Sequence, residues 1–101
     1  MKPPIRIGCG WDSHEFQRGI PLKIGGVVIP HPKGLGGHSD GDVLLHAITD
    51  ALLGAGAAPD IGSLFSPSES RWRGADSAVF LAEALKRVRA DDYVVVNVDT
   101  T

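Results

Sequence analysis

The sequence predicts an α/β domain of α+β character: a mixed β-sheet with helices packed on one face. Three observations predict it. Alternating apolar stretches lie near both ends, over 5–12 and 93–100, and a tight-hairpin pattern lies over 21–30. Two further segments, 39–56 and 76–89, carry apolar residues at three- and four-residue spacing, the helical period. The chain has 101 residues, of which 43% are hydrophobic and 22% charged, an ordinary globular composition with room for one domain over 1–101.

Each element has a local reason. Ile5, Ile7, Cys9 and Trp11 share one face of the first strand and are expected to be buried. Arg6, Gly8, Gly10 and Asp12 share the other, where the small residues leave room for something to lie against it. Leu22-Lys23-Ile24 and Val27-Val28-Ile29 flank Gly25-Gly26, a hairpin-turn pair. His31 to Gly37 reads as loop. Ser39 to Gly56 reads as the clearest helix, with Ser39 and Asp42 as a capping box and Gly54 and Gly56 as a stop. Residues 59–74 form a long irregular stretch, of the kind that is usually functional. Asp76 or Ser77 caps a second helix whose core face is Ala78, Leu81, Leu85 and Val88. The last strand ends in a hydrophobic run at Thr101, so a C-terminal portion of the domain is expected to be absent.

Composition excludes several classes. Ten Lys and Arg against 12 Asp and Glu give a net charge of -2, which tells against a nucleic-acid binder. No apolar run is long enough to span a membrane, and no signal-peptide pattern opens the chain. A single cysteine excludes an internal disulfide framework and fits a reducing, cytoplasmic setting.

Two clusters can carry chemistry. In an extended segment Asp12 and His14 point the same way, a pairing that suits a transition metal or a plain surface pair. Asp42, His46 and Asp50 are four apart and form one polar stripe on an apolar helix. A solvated stripe usually carries both signs of charge, yet no Lys or Arg occurs from Ser39 to Gly56. His46 is therefore a candidate third ligand, with Asp42 and Asp50 as carboxylates backing it. Three protein ligands with an open position is the catalytic zinc pattern. The Gly-rich run 34–42 leads into a helix N-terminus, which suits either an anion cradle or a flexible lead-in loop, with His38 near it.

Taken together the blocks are more specific. Arg6-Ile7-Gly8-Cys9-Gly10-Trp11-Asp12-Ser13-His14, Pro21 to Val27, the run GHSDGDVLLHAITDALLG over 37–54, Asp60-Ile61-Gly62 with Phe65, Gly74 to Ser77 and Asn97-Val98-Asp99 occur in order along the chain. The chain thereby resembles the 2-C-methyl-D-erythritol 2,4-cyclodiphosphate synthase family over essentially its whole length. The resemblance implies a step of the non-mevalonate isoprenoid pathway. The 2-phosphate of 4-diphosphocytidyl-2-C-methyl-D-erythritol 2-phosphate attacks its own β-phosphorus, and CMP leaves. It also implies a cytoplasmic homotrimer using Zn²⁺ at Asp12, His14 and His46, or another divalent transition metal there. A second divalent cation, Mg²⁺ or Mn²⁺, would take its ligand from outside these 101 residues.

By the same resemblance His38 is the transition-state stabiliser. Substrate contacts fall on Asp12, Ser13, His14, His38, Ser39, Asp60, Ile61, Gly62, Phe65, Ser68 and Glu69. Phe65-Ser66-Pro67-Ser68-Glu69 departs from the family's usual Phe-Pro-Asp, and Pro59 stands where Gly is common. Two other readings remain at this stage: a zinc-binding assembly domain without catalysis, and a zinc phosphodiester hydrolase.

Overall fold

A computed structural model describes residues 3–101; residues 1 and 2 of the expected 1–101 domain lie outside the described residues. The class is as expected, small antiparallel strands with helices. Four short strands are present: β1 (Phe16–Arg18), β2 (Leu22–Ile24), β3 (Val27–Ile29) and β4 (Lys33–Leu35). Three α-helices follow, α1 (Val43–Ala55), α2 (Ile61–Leu64) and α3 (Ala78–Ala90), with a 3-10 turn over Ser70–Trp72.

The predicted hairpin forms. β2 pairs with β3 in the register Leu22↔Ile29, Lys23↔Val28, Ile24↔Val27. Gly25 and Gly26 both have positive φ, +63° and +80°, the requirement of a two-residue turn between right-twisted strands. β1 and β4 form a second antiparallel pair, Phe16 opposite Leu35, inside stretches that carry too little apolar pattern to be read as strands.

The expected strands at the two ends are a correction. Among the described residues neither 5–12 nor 93–100 is paired into a sheet. The face of the first that lies against the rest of the domain is also the opposite of the expected one. Ile7 is 89% exposed, whereas Gly8 and Gly10 press on α1, where an added Cβ would sit 1.8 Å from the Ala51 and Ala47 carbonyl oxygens. Two residues of extended chain rise about as far as one helical turn of four residues. The segment can therefore run antiparallel along α1 in register. Apolar alternation shows that one face is special but not what lies against each face. Tyr93 and Arg6 tie the end segments down: the Tyr93 hydroxyl donates to the Pro3 carbonyl at 2.6 Å, and Arg6 Nε donates to the Ala55 carbonyl.

Both long helices form, α1 with a later start than expected and α3 from its expected cap, Ser77. α1 is capped by Asp42, whose carboxylate accepts from Leu45 N–H, and not by Ser39. α3 packs on α1 through buried Phe80 and Ala84; Ala78, expected in the core, is exposed, while Leu81, Leu85 and Val88 are half-buried. The core is Leu22 and Leu35 from the strands, Leu45 and Leu53 from α1, and Phe80 and Ala84 from α3. Among the described residues no helix is long and apolar enough to cross a membrane.

Candidate metal centre and its cleft

The run of 5–12 along α1 delivers Asp12 and His14 to the start of that helix, where His46 lies in its second turn. Asp12 Oδ2 is 2.8 Å from His14 Nε2 and 3.1 Å from His46 Nδ1, and the two ring nitrogens are 3.0 Å apart. The three ligands expected from spacing thus converge, as the three-donor cluster of the described residues.

The proton positions follow from the partners. His14 Nδ1 lies 2.6 Å from the Gly36 carbonyl, which can only accept, so Nδ1 carries the hydrogen and Nε2 turns a lone pair to the cluster. His46 Nε2 faces two hydroxyls, Ser77 Oγ at 2.7 Å and Ser39 Oγ at 3.1 Å. With Nε2 as donor there, Nδ1 is the second lone pair beside the Asp12 carboxylate. Three electron-rich atoms about 3 Å apart repel unless a cation sits among them, and the mix of two imidazoles and a carboxylate suits zinc or a similar ion.

The carboxylates on the helix stripe, expected to back His46, make their side-chain hydrogen bonds to backbone N–H groups. Asp42 is fully buried and accepts from Gly25 N–H at 2.9 Å, Gly26 N–H at 2.7 Å and Leu45 N–H at 3.1 Å. It locks the hairpin turn to the helix start. Asp50 accepts from Ile61 N–H at 2.8 Å and so holds the start of α2. Burial pushes the Asp50 carboxyl above its ordinary range, against the opposing pull of that N–H, and the charges of Asp60 and Asp12 add to the rise.

A cleft of about 300 Å³ opens beside the cluster. It gathers His38, Ser39, Ile61, Gly62 and Phe65 next to Asp12, His14 and His46. His38 Nε2 donates to the Glu69 carbonyl at 3.0 Å, leaving Nδ1 for a ligand. Phe65, Trp72 and Phe80 stack as an apolar wall with centroids 4.6–5.7 Å apart. Four predicted contacts lie outside the cleft lining: Ser13, Asp60, Ser68 and Glu69. Asp60 caps α2, its carboxyl held below the ordinary range by Ser63 N–H; Ser68 bonds Ser66; the Glu69 carboxylate pairs with Arg71 at 2.7 Å.

Sequence reading missed Ser77, Asp40, Trp72 and Phe80 as neighbours of the site. Asp40 accepts from both the hydroxyl and the N–H of Ser77 and lies 3.2 Å from Lys23 Nζ, which also reaches Asp76 at 3.3 Å. Burial works to raise the Asp40 carboxyl, but the Ser77, Asp42 and Lys23 hydrogen bonds outweigh it and hold Asp40 below the ordinary range. The Lys23 ammonium is in turn held above its ordinary range by its hydrogen bond to Asp40 above all, with desolvation opposing and Asp76 adding to the rise.

Comparison with known proteins shows what the chain is similar to. Residues 5–101 match the profile of the YgbB family. The chain is 64% identical over 95 residues to the 2-C-methyl-D-erythritol 2,4-cyclodiphosphate synthase of Koribacter versatilis, covering 94% of this chain and 61% of that protein. It is 52% identical to the chloroplastic enzyme of that name from Oryza sativa, covering 97% of this chain and 44% of that one. A solved structure of 2C-methyl-D-erythritol-2,4-cyclodiphosphate synthase in a CDP-bound form superposes with a TM-score of 0.79 at 52% identity, over 86% of this chain and 58% of that one. The chain therefore spans less than two thirds of the length of these relatives.

Proposed function

The chain belongs to the YgbB family, and we propose that it carries the metal-binding part of a 2-C-methyl-D-erythritol 2,4-cyclodiphosphate synthase. The substrate is 4-diphosphocytidyl-2-C-methyl-D-erythritol 2-phosphate. A 2-phosphate oxygen forms a bond to the β-phosphorus, the bond from that phosphorus to the bridging oxygen breaks, and CMP leaves with the bridging oxygen. The product is 2-C-methyl-D-erythritol 2,4-cyclodiphosphate, an intermediate of non-mevalonate isoprenoid synthesis. The observation that carries this reading is the convergence of Asp12, His14 and His46 beside a cleft that also gathers His38 and Ser39. The names of the relatives and the CDP-bound neighbour support it.

The nucleophile is already an anionic phosphate oxygen, so no strong base is needed. The task is to bring two phosphates together and to stabilise charge as the bond shifts. Asp12, His14 and His46 would hold a divalent ion, which would supply Lewis-acid neutralisation of phosphoryl charge. His38, anchored through Nε2 to the Glu69 carbonyl, presents its other nitrogen to a phosphoryl oxygen, and Ser39 offers a hydroxyl. Ile61, whose N–H donates to Asp50, and Gly62 line the cleft where the erythritol unit binds. The Phe65, Trp72 and Phe80 wall excludes water and strengthens each electrostatic contact. Ser13, Asp60, Ser68 and Glu69 would reach substrate only if it extends past this cleft.

The working protein is proposed to be a cytoplasmic homotrimer, with the second cation, Mg²⁺ or Mn²⁺, bound by residues outside this chain. The decisive assay is phosphorus NMR of the purified protein with substrate. Cyclic diphosphate and CMP in equal amounts are expected, and His46→Ala should lose both product and most of its zinc. Linear phosphate products, or unchanged zinc in His46→Ala, would overturn the assignment.

A further inference from the structure

We propose that Ser77 and Asp40 form a positioning relay for His46: Ser77 donates its hydroxyl hydrogen bond to Asp40, so that Ser77 Oγ can only accept from His46 Nε2–H and Nδ1 is left for the metal. The relay rests on the metal reading above and deepens it.

A free serine hydroxyl rotates and can donate or accept, so by itself it supports either tautomer of a neighbouring imidazole. Ser77 is not free. It is fully buried at the start of α3, and its side chain makes no cap bond to its own helix. Its single hydroxyl hydrogen goes to Asp40 Oδ1, an acceptor that has none to give. The Ser77 N–H goes to Asp40 Oδ2 at 2.9 Å, so the carboxylate grips the residue at two points. Asp40 is itself held by Asp42 N–H at 3.1 Å and by Lys23 at 3.2 Å. With its hydrogen spent, Ser77 Oγ at 2.7 Å accepts from His46 Nε2. Ser39 Oγ, the only other hydroxyl at that nitrogen among the described residues, is longer at 3.1 Å and only half-buried; as a donor it would favour the opposite tautomer. The relay settles that competition. It crosses from the lead-in of α1 to the lead-in of α3, a separation of 37 residues.

The test uses the intact protein, with Zn²⁺ affinity read by chelator competition and Co²⁺ substitution read by visible absorption. Ser77→Ala should weaken Zn²⁺ about 10- to 100-fold, the usual cost of losing a partner that orients a ligating histidine. Its Co²⁺ spectrum should change. Asp40→Asn, which keeps the shape but lets Ser77 rotate, should shift both readings in the same direction by less. Metal-free melting of each variant identifies any that fails to fold; if Ser77→Ala does, Asp40→Asn decides alone. A folded variant that keeps wild-type Zn²⁺ affinity and Co²⁺ spectrum overturns the relay while the metal site stands. Wild-type protein that binds neither ion overturns both.

Discussion

Asp42→Asn separates the two jobs that a carboxylate on this helix could have. The side chain holds three N–H groups, two from the hairpin turn and one from the first turn of α1. An asparagine oxygen at the Oδ1 position keeps Gly25 and Leu45 but loses the charge that strengthens both bonds. Its amide then points hydrogens at Gly26 N–H, replacing a 2.7 Å bond with donor against donor. Charged hydrogen bonds contribute about 1.5–3 kcal/mol and neutral ones about 0.5–1.5, so two weakened bonds and one lost give a cost of about 3.5–6 kcal/mol. For a domain of this size that is a fall of at least about 14 °C in Tm. Zn²⁺ affinity should stay within about twofold, because no Asp42 oxygen contacts His46 Nε2, and losses of the order seen for orienting partners are not expected. Urea unfolding in a chelator and Zn²⁺ competition on the same sample give both numbers. A variant that melts like wild type yet loses Zn²⁺ tenfold would refute the assignment of Asp42 to the hairpin.

Gly10→Ala should be severe, because the 1.8 Å gap to the Ala47 carbonyl must open by at least 1.2 Å to reach 3.0 Å, lifting the segment that carries Asp12 and His14; Zn²⁺ affinity and Tm should both fall. Gly54→Ala is the contrast, since an added Cβ meets only the Cys9 carbonyl at 3.8 Å and the helix gains about 0.5–1 kcal/mol, a rise in urea midpoint. Asp40 sets a pH dependence: its folded pKa lies below the ordinary 3.8, so its contribution is complete above that value and is lost as pH falls through the folded one. Acid unfolding of metal-free Asp40→Asn should therefore be shallower below about pH 4 than that of wild type. Trp72 Nε1 is buried with no protein acceptor among the described residues, so Trp72→Phe should cost less than about 1 kcal/mol in urea unfolding, against about 3–5 for Trp72→Ala.

The local parts were legible because short-range rules decide them. Gly25-Gly26 between β-prone runs allows one kind of turn, and the hairpin formed in that register. The i,i+4 stripe put His46 on one face of α1, and the extended Asp12-x-His14 put two more donors on one side. The roles of Asp42 and Asp50 were not legible. Spacing says which side chains share a face, but each carboxylate goes to the unpaired N–H groups that tertiary packing brings nearest. Those belong to the hairpin turn and to Ile61, 17 and 11 residues away. The end segments fail for a related reason. Alternation marks 5–12 and 93–100 as two-faced, yet a strand exists only with a partner edge, and Val96 at 91% exposure has none among the described residues.

Asp40 and Asp42 show how far two residues in the same short run can diverge. In a plain extended chain, side chains two apart would face the same way. Gly41 lies between them at φ +73°, in the left-handed region, and an added Cβ there would sit 2.1 Å from the Leu35 carbonyl. The turn sends Asp42 to the hairpin and Asp40 to Ser77. It also delays the start of α1 to Val43, which leaves Ser39 outside the helix and facing His46. A helix beginning at Ser39, as the capping pattern suggested, would draw Ser39 into its own first turn and away from the imidazole. One glycine in the left-handed region thus accounts for three placements.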